Sequence, residues 1–228
     1  MNKMHKMNSK QVYPSSSGAV RTYGLLLIAL ALAVTGCIGC SSPAVQKQSY
    51  DFGPVSADAS VTAPASMNTT RTTPNLAISL ADINAPASLD STAMLYRLQY
   101  DNAQQARPYA QHRWSMPPAQ LLTQRLKTRI AAAGGTVIAS RDAVSSLPVL
   151  QMDLDEFLQV FSSASSSTVQ IQIRATVFKG RNLLAQRSFQ QQVVTPTADA
   201  PGGAKAMVTA SDALISDVIT WMQTLRLN

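Results

Sequence analysis

The chain has few of the residues from which most enzyme sites are built. Its 228 residues include only two cysteines and two histidines. Cys37 and Cys40 have the spacing of a thiol redox pair. Such a pair needs a helix start inside a βαβ scaffold, whereas a Ser/Pro/Ala-rich stretch follows here. A structural zinc site usually takes four Cys/His ligands. With His5 set aside in the N-terminal segment, His112 alone is left to join the cysteines. No serine sits in G-x-S-x-G, and neither H-E-x-x-H nor the Walker A spacing occurs. "PGGAK" at 201–205 lacks the P-loop spacing and reads as the opening of a helix. No catalytic residue, metal site or cofactor is therefore expected.

Long apolar runs are lacking as well. The longest, "GLLLIALALAV" at 24–34, has eleven residues. As a helix it would span about 16 Å, against about 30 Å of bilayer core. Lys3, Lys6, Lys10 and Arg21 precede it, with no acidic residue nearby. This is the pattern of a secretory signal, so residues 1–36 are excluded from fold reasoning. The segment ends in Val34-Thr35-Gly36-Cys37, which resembles the bacterial lipobox. By that resemblance the Cys37 thiol receives diacylglycerol and, with palmitate among its acyl chains, becomes the mature N-terminus. The Cys40 frame puts a cysteine where the aliphatic residue belongs, which favours Cys37. The alternatives are an ordinary signal peptide or an uncleaved anchor. Acyl chains contribute about 0.8 kcal/mol per buried CH₂, and two or more hold a protein stably. The residue after Cys37 is Ile38 rather than the Asp of inner-membrane retention. The expected location is the periplasmic face of the outer membrane of a diderm bacterium.

Charge of either sign is sparse. Four of the 19 basic residues and none of the 12 acidic ones lie in the signal, leaving 15 − 12 = +3. The basic residues are scattered, with no run to follow a phosphate backbone, so nucleic acid is not an expected partner.

What is present is periodicity. Residues 37–75 read as a Ser/Thr/Ala/Pro-rich tether interrupted by a short strand near 49–53, in "SYDFGPV". The linker at 54–74 would span about 25 Å as flexible coil. From 76 onward the patterns of a packed domain begin. Leu76, Ile78 and Leu80 alternate with smaller or polar residues, as do Met94, Tyr96, Leu98 and Tyr100, predicting two half-buried strands. Ser115 is placed to cap a helix whose first turn holds Pro117 and Pro118. That helix carries Leu122, Leu126 and Ile130 on one face and stops at Gly134-Gly135. Leu150, Met152, Leu154, Leu158 and Val160 are expected on one face of a long strand. Val169, Ile171, Ile173, Ala175 and Val177 follow in a second, and residues 183–194 form a third after a turn at Lys179-Gly180-Arg181-Asn182. Together they predict an antiparallel meander with one wet face. Met207, Ala210, Leu214, Val218, Trp221 and Leu225 give a final helix one apolar stripe. The expected class is α+β: a two-layer domain over 76–228, mainly antiparallel sheet packed by two helices, behind the lipidated tether.

The acidic residues Asp153, Asp155 and Glu156 raise the question of acid–base chemistry. Asp153 and Asp155 fall on the polar face opposite Arg174, which makes a solvated cross-strand pair the simpler reading. Glu156 interrupts the apolar face, and a bulge there would turn it outward.

Several short motifs recur in one order: "SYDFG", Tyr96-Arg97-Leu98, Tyr109-Ala110, Arg113-Trp114, Pro117-Pro118 and "LQMDLDEF" at 150–157, closing on a terminal helix. With the lipobox, this order resembles the PqiC-type ABC-transport auxiliary lipoproteins over roughly 48–225. The linker at 54–74 departs from the family's spacing. The resemblance implies a non-enzymatic component of an MCE-type lipid transport system. Its partners would be a periplasm-spanning MCE protein with its ABC transporter, the outer membrane, and further copies of itself in a ring. Tyr109, Arg113 and Trp114 are the expected partner-facing residues, since aromatic and Arg side chains dominate interface anchors. The competing reading places Trp114 in the core at the helix entry. A scaffolding lipoprotein of another envelope complex and a direct lipid carrier with an apolar pocket are the rival functions.

Overall fold

A computed structural model describes residues 46–55, 76–140 and 147–225. Cys37, Cys40, the signal segment and most of the tether lie outside the described residues. Among the described residues eight strands form one mixed sheet, with two helices packed on it, so the class is α+β.

Strands β6 (Val149–Ser163), β7 (Ser166–Lys179) and β8 (Asn182–Val194) form the expected antiparallel meander. Gly180 takes a positive φ of 60° in the β7–β8 turn, a conformation that costs glycine no Cβ clash. Along β7 Val169, Ile171, Ile173, Ala175 and Val177 are buried as the alternation predicts, and Thr176 on the other face is buried as well.

β6 departs from its expected face halfway along. Leu154 pairs with Ile173, but Glu156, not Asp155, pairs with Gln172. This bulge moves the helix-facing set from Leu150, Met152 and Leu154 to Phe157, Gln159 and Phe161. Leu158 and Val160 therefore lie on the opposite face, correcting the expectation that they continue the first set. An extra residue inverts every later side chain because the strand period is two. Glu156 turns outward as the bulge requires and approaches Arg97 at 3.9 Å.

The other edge of β6 is shared by two strands. β2 (Ala77–Leu80) pairs with it in parallel near its start, and β3 (Ala93–Leu98) pairs in parallel near its end. β2 is flanked on its far side by β5 (Thr136–Ala139). Being interior, β2 is buried on both faces: Ile78, Ser79 and Leu80 are all inaccessible. The expectation of a half-buried strand fails there for that reason. β3 pairs with antiparallel β4 (Ala106–Trp114), and β4 pairs in parallel with β1 (Gln48–Tyr50). β3 ends at Leu98, so Tyr100 belongs to the following turn rather than the strand and is 53% exposed.

Helix α1 (Pro118–Ala132) starts with Pro118 at its first position and Pro117 as N-cap; no side chain caps it. Ser115 is thus not the cap, because the two prolines set the helix start two residues later than expected. The helix ends where Gly134 takes a φ of 78°. Helix α2 (Ala200–Thr224) is capped by Asp199, whose carboxylate accepts from the Gly202 amide at 2.8 Å. Its stripe of Met207, Ala210, Leu214, Val218 and Trp221 is buried against the sheet. The apolar void where Leu122 and Leu126 meet Met152, Ile173 and Leu214 measures only about 10 Å³.

Candidate functional site

The densest cluster of chemically distinctive side chains lies where β1, β4 and the start of α2 converge. Its origin is an irregularity in β4. Ala93 of β3 pairs with Arg113, yet Leu95 pairs with Pro108. One residue of β3 thus faces the four residues Tyr109–His112 of β4. The wide bulge leaves Ala110 and Gln111 exposed, while Tyr109 and His112 are half-buried. The motif Tyr109-Ala110…Arg113-Trp114 therefore brackets this bulge, a device that re-aims side chains next to functional surfaces.

Tyr109 is the centre of the cluster. Its ring lies 4.6 Å from Tyr96 and 5.9 Å from His112, centroid to centroid. Its hydroxyl donates to Gln159 Oε1 at 3.0 Å. Burial, reinforced by Tyr96 and Asp199, pushes its pKa well above that of an ordinary phenol, which keeps it a neutral donor. Gln159 is 1% exposed and donates in turn to Ser167 Oγ at 2.8 Å and to the Asp199 carbonyl at 3.2 Å. Ser167 and Thr195 hydroxyls lie 2.6 Å apart, closing the buried network. A side chain of such polarity is tolerated in the core because its hydrogen-bonding groups are met.

The opening of α2 is shaped to this network. A Cβ on Gly203 would stand 2.1 Å from Gln159 Oε1, and one on Gly202 would stand 2.2 Å from the Thr197 carbonyl oxygen. The two glycines of "PGGAK" therefore permit close approach in the helix's first turn. Asp199 is held below the usual carboxylate range by the Gly202 amide first, then by the Thr197 hydroxyl and by His112. Tyr50 joins from β1, with its hydroxyl 3.2 Å from His112 Nδ1. Burial, with Asp199 nearby, raises its pKa.

Of the three expected partner-facing residues, Arg113 is exposed and Tyr109 half-buried, while Trp114 is 1% exposed. Trp114 is packed edge-on against Phe157 at 5.4 Å and Phe52 at 6.1 Å. It fills the core and offers no surface to a partner. Phe52 comes from the "SYDFG" segment, and the carbonyl of the next residue, Gly53, accepts from Arg125 Nη1 at 3.0 Å. Arg125 also makes a two-pronged pair with Asp212, at 2.7 and 2.6 Å. One guanidinium thus joins α1, α2 and the chain before β2. Nothing in the spacing of the sequence announces this clamp. The carboxylates weighed for catalysis are engaged otherwise: Arg174 lies 3.6 Å from both Asp153 and Asp155. Among the described residues no group of three or more His, Cys, Asp or Glu side chains is arranged to hold a metal ion.

Comparison with known proteins gives a consistent result. A family model described as "ABC-type transport auxiliary lipoprotein component" matches residues 60–219. The solved structure of a Xanthomonas campestris protein assigned to DUF330 has a TM-score of 0.58 at 17% identity, covering 67% of this chain and 88% of its own. An uncharacterized protein of known structure has a TM-score of 0.54 at 15% identity, covering 65% and 92%. At these identities the two structures speak to the fold. No curated protein sequence matches the chain.

Proposed function

The chain belongs to the ABC-type transport auxiliary lipoprotein family, and from that premise we propose that it docks a periplasm-spanning MCE protein at the outer membrane. It works by position and carries out no reaction. Cys37 carries the lipid that fixes the protein to the periplasmic face, and the α+β domain recognises the MCE protein of an ABC-type lipid transporter. Tyr109 and Arg113 belong to the recognition surface, with Trp114 and Phe157 supporting them from beneath. Several copies arranged in a ring would match a partner that bridges the periplasm as an assembly.

The family match over 60–219 carries this reading. Two features of the molecule support a positional role. The groups that might serve acid–base chemistry are committed: Asp153 and Asp155 to Arg174, Asp212 to Arg125, and His112 to Tyr50. The apolar space between sheet and helices narrows to a void of about 10 Å³, and two clefts of about 510 and 580 Å³ have walls that include Asp82, Asn84, Gln120 and Gln124 in one and Arg125, Arg129, Thr209 and Asp212 in the other. Clefts with so many charged and polar walls suit a docking component better than a direct lipid carrier, whose pocket would be mainly apolar.

The test is an in-cell cross-linking pull-down of the full-length protein, followed by mass spectrometry. Recovery of an MCE protein with its ATPase supports the proposal. Recovery of another envelope complex without any MCE component, at normal expression, favours a scaffolding role elsewhere.

A further inference from the structure

Among the described residues three strands of the sheet have a neighbour on one side only: β1, β5 and β8. β1 has three residues and β5 four, and a short edge is one way a sheet avoids pairing with another chain. β8 has thirteen and lacks the other guards. It contains no lysine and no proline, and Arg187 is its one charge. From Ala185 to Val194 it pairs with β7 without a shift. Of the four large apolar side chains exposed among the described residues, it carries Leu183, Leu184 and Val194, the last at 72%.

The ladder shows which backbone groups are open. Just past β8 the Thr195 amide donates to the Ser167 carbonyl at 3.0 Å. In the same register the odd-numbered residues of β8 exchange bonds with β7. The amides and carbonyls of Gln186, Ser188, Gln190, Gln192 and Val194 therefore point out of the sheet's edge. Side chains of odd number lie toward α2. Phe189 packs on Trp221 with centroids 5.5 Å apart, Arg187 lies 5.1 Å over Phe189, and Gln191 Nε2 donates to Asp217 Oδ2 at 2.7 Å. The even-numbered side chains from Gln186 to Val194 are exposed on the other face.

We propose that a second copy of the chain pairs along this edge, antiparallel, with a two-fold axis at Phe189. Open groups meet only when even-numbered residues face even-numbered ones, and this axis satisfies that over 184–194. Leu184 then faces Val194 of the second copy, Ala185 faces Val193, Gln186 faces Gln192 and Ser188 faces Gln190, each twice. Arg187 faces Gln191 and so arrives beside the Asp217 carboxylate that Gln191 holds. Apolar side chains meet apolar ones, and the strand's one charge meets its opposite. An axis at Arg187 would oppose like charges, and one at Ser188 would set Leu184 against Gln192. This fit of the strand to itself selects a second copy over an unrelated strand. A contact of this kind closes at two, so a ring would be assembled from such pairs through another surface. The inference goes beyond the docking role and does not depend on the MCE partner.

The test is native mass spectrometry of the full-length protein, produced in cells and released from detergent in the instrument. Wild type should appear as two copies. Ser188→Lys with Gln190→Lys sets lysines against lysines across the axis and should halve the mass. Its melting temperature should not change, because both side chains are exposed. Ser188→Lys with Gln190→Glu sets each lysine against a glutamate and should restore the pair. Gln190→Pro removes an amide hydrogen that serves only the open edge, and should again give single copies. A single-copy wild type overturns the proposal, as does a Lys/Lys variant that stays paired. A Lys/Glu variant that remains single overturns the axis at Phe189.

Discussion

The β6–β7–β8 meander and the corner built by β1, β4 and the two helices are held together differently. In the meander, neighbours in the sheet are neighbours in sequence, and two turns make every pairing. Its polar face carries solvated contacts such as Arg174 with Asp153 and Asp155. In the corner, residues about 60 to 105 positions apart meet. Phe52 touches Trp114 and Phe157, Tyr50 meets His112, and Arg125 grips both Asp212 and Gly53. The meander gains its order from alternation spread over many residues. The corner concentrates its order in a few large or charged side chains. Single substitutions should therefore hurt the corner far more than the meander's open face.

The largest expected effect is in the aromatic wedge. Trp114→Ala removes a fully buried ring and should cost about 3–5 kcal/mol, read as a large fall in melting temperature. If partner binding were lost with an unchanged melting temperature, Trp114 would belong to the interface and the contrast between the regions would fail. Next comes the clamp. Asp212→Ala leaves the Arg125 guanidinium buried without its carboxylate, which should cost about 3 kcal/mol. Urea unfolding measures it. A loss no larger than that of a surface pair would show that α1, α2 and Gly53 are held by other contacts.

The same contrast decides what the sequence made legible. β7 could be read because its alternation is a local property of one segment. The final helix could be read from a stripe at three- and four-residue spacing. β4 could not: four residues against one in a bulge destroys the period of two, so "ARPYAQHRW" shows no alternation that would mark a strand. β5, four residues long and parallel, has too few positions to show any period. Glu156 breaking the apolar face marks the β6 bulge in the sequence, but Leu158 and Val160 are themselves apolar, so nothing along the chain marks their move to the other face. Of the three expected partner-facing residues, Arg113 is exposed, Tyr109 half-buried and Trp114 buried. The Tyr109–Gln159–Ser167 network joins three strands, and no spacing along the chain announces it.

Smaller effects sharpen the comparison. Gly202→Ala drives a methyl group into the Thr197 carbonyl and should cost about 1–3 kcal/mol. Gly203→Ala meets the far end of the Gln159 side chain instead, so it should cost less; the reverse order would contradict the close-approach account. Asp199→Asn tests the cap through pH. The folded carboxyl is depressed, so its stabilisation is fully present above its unfolded pKa of about 3.9 and is lost as pH falls through the lower folded value. Wild type should lead the variant by a steady margin of at most about 1 kcal/mol near neutrality, and the margin should shrink below about pH 4. A margin independent of pH would remove the carboxylate from the account. Least of all, Arg174→Ala should change stability by about 0.5 kcal/mol or less, because the side chain is 45% exposed and its pairs are screened by salt.

The central claim is that the bulged strand presents a docking surface for an MCE protein, and a photo-cross-linking side chain at position 113 tests it most directly. Full-length protein carrying that group is produced in cells and irradiated, and the products are identified by mass spectrometry. The account predicts a cross-link to a periplasm-spanning MCE protein, lost when the same group is moved to the buried position 114. Cross-links at position 113 to an unrelated envelope protein, with none to an MCE protein at comparable yield, would contradict it.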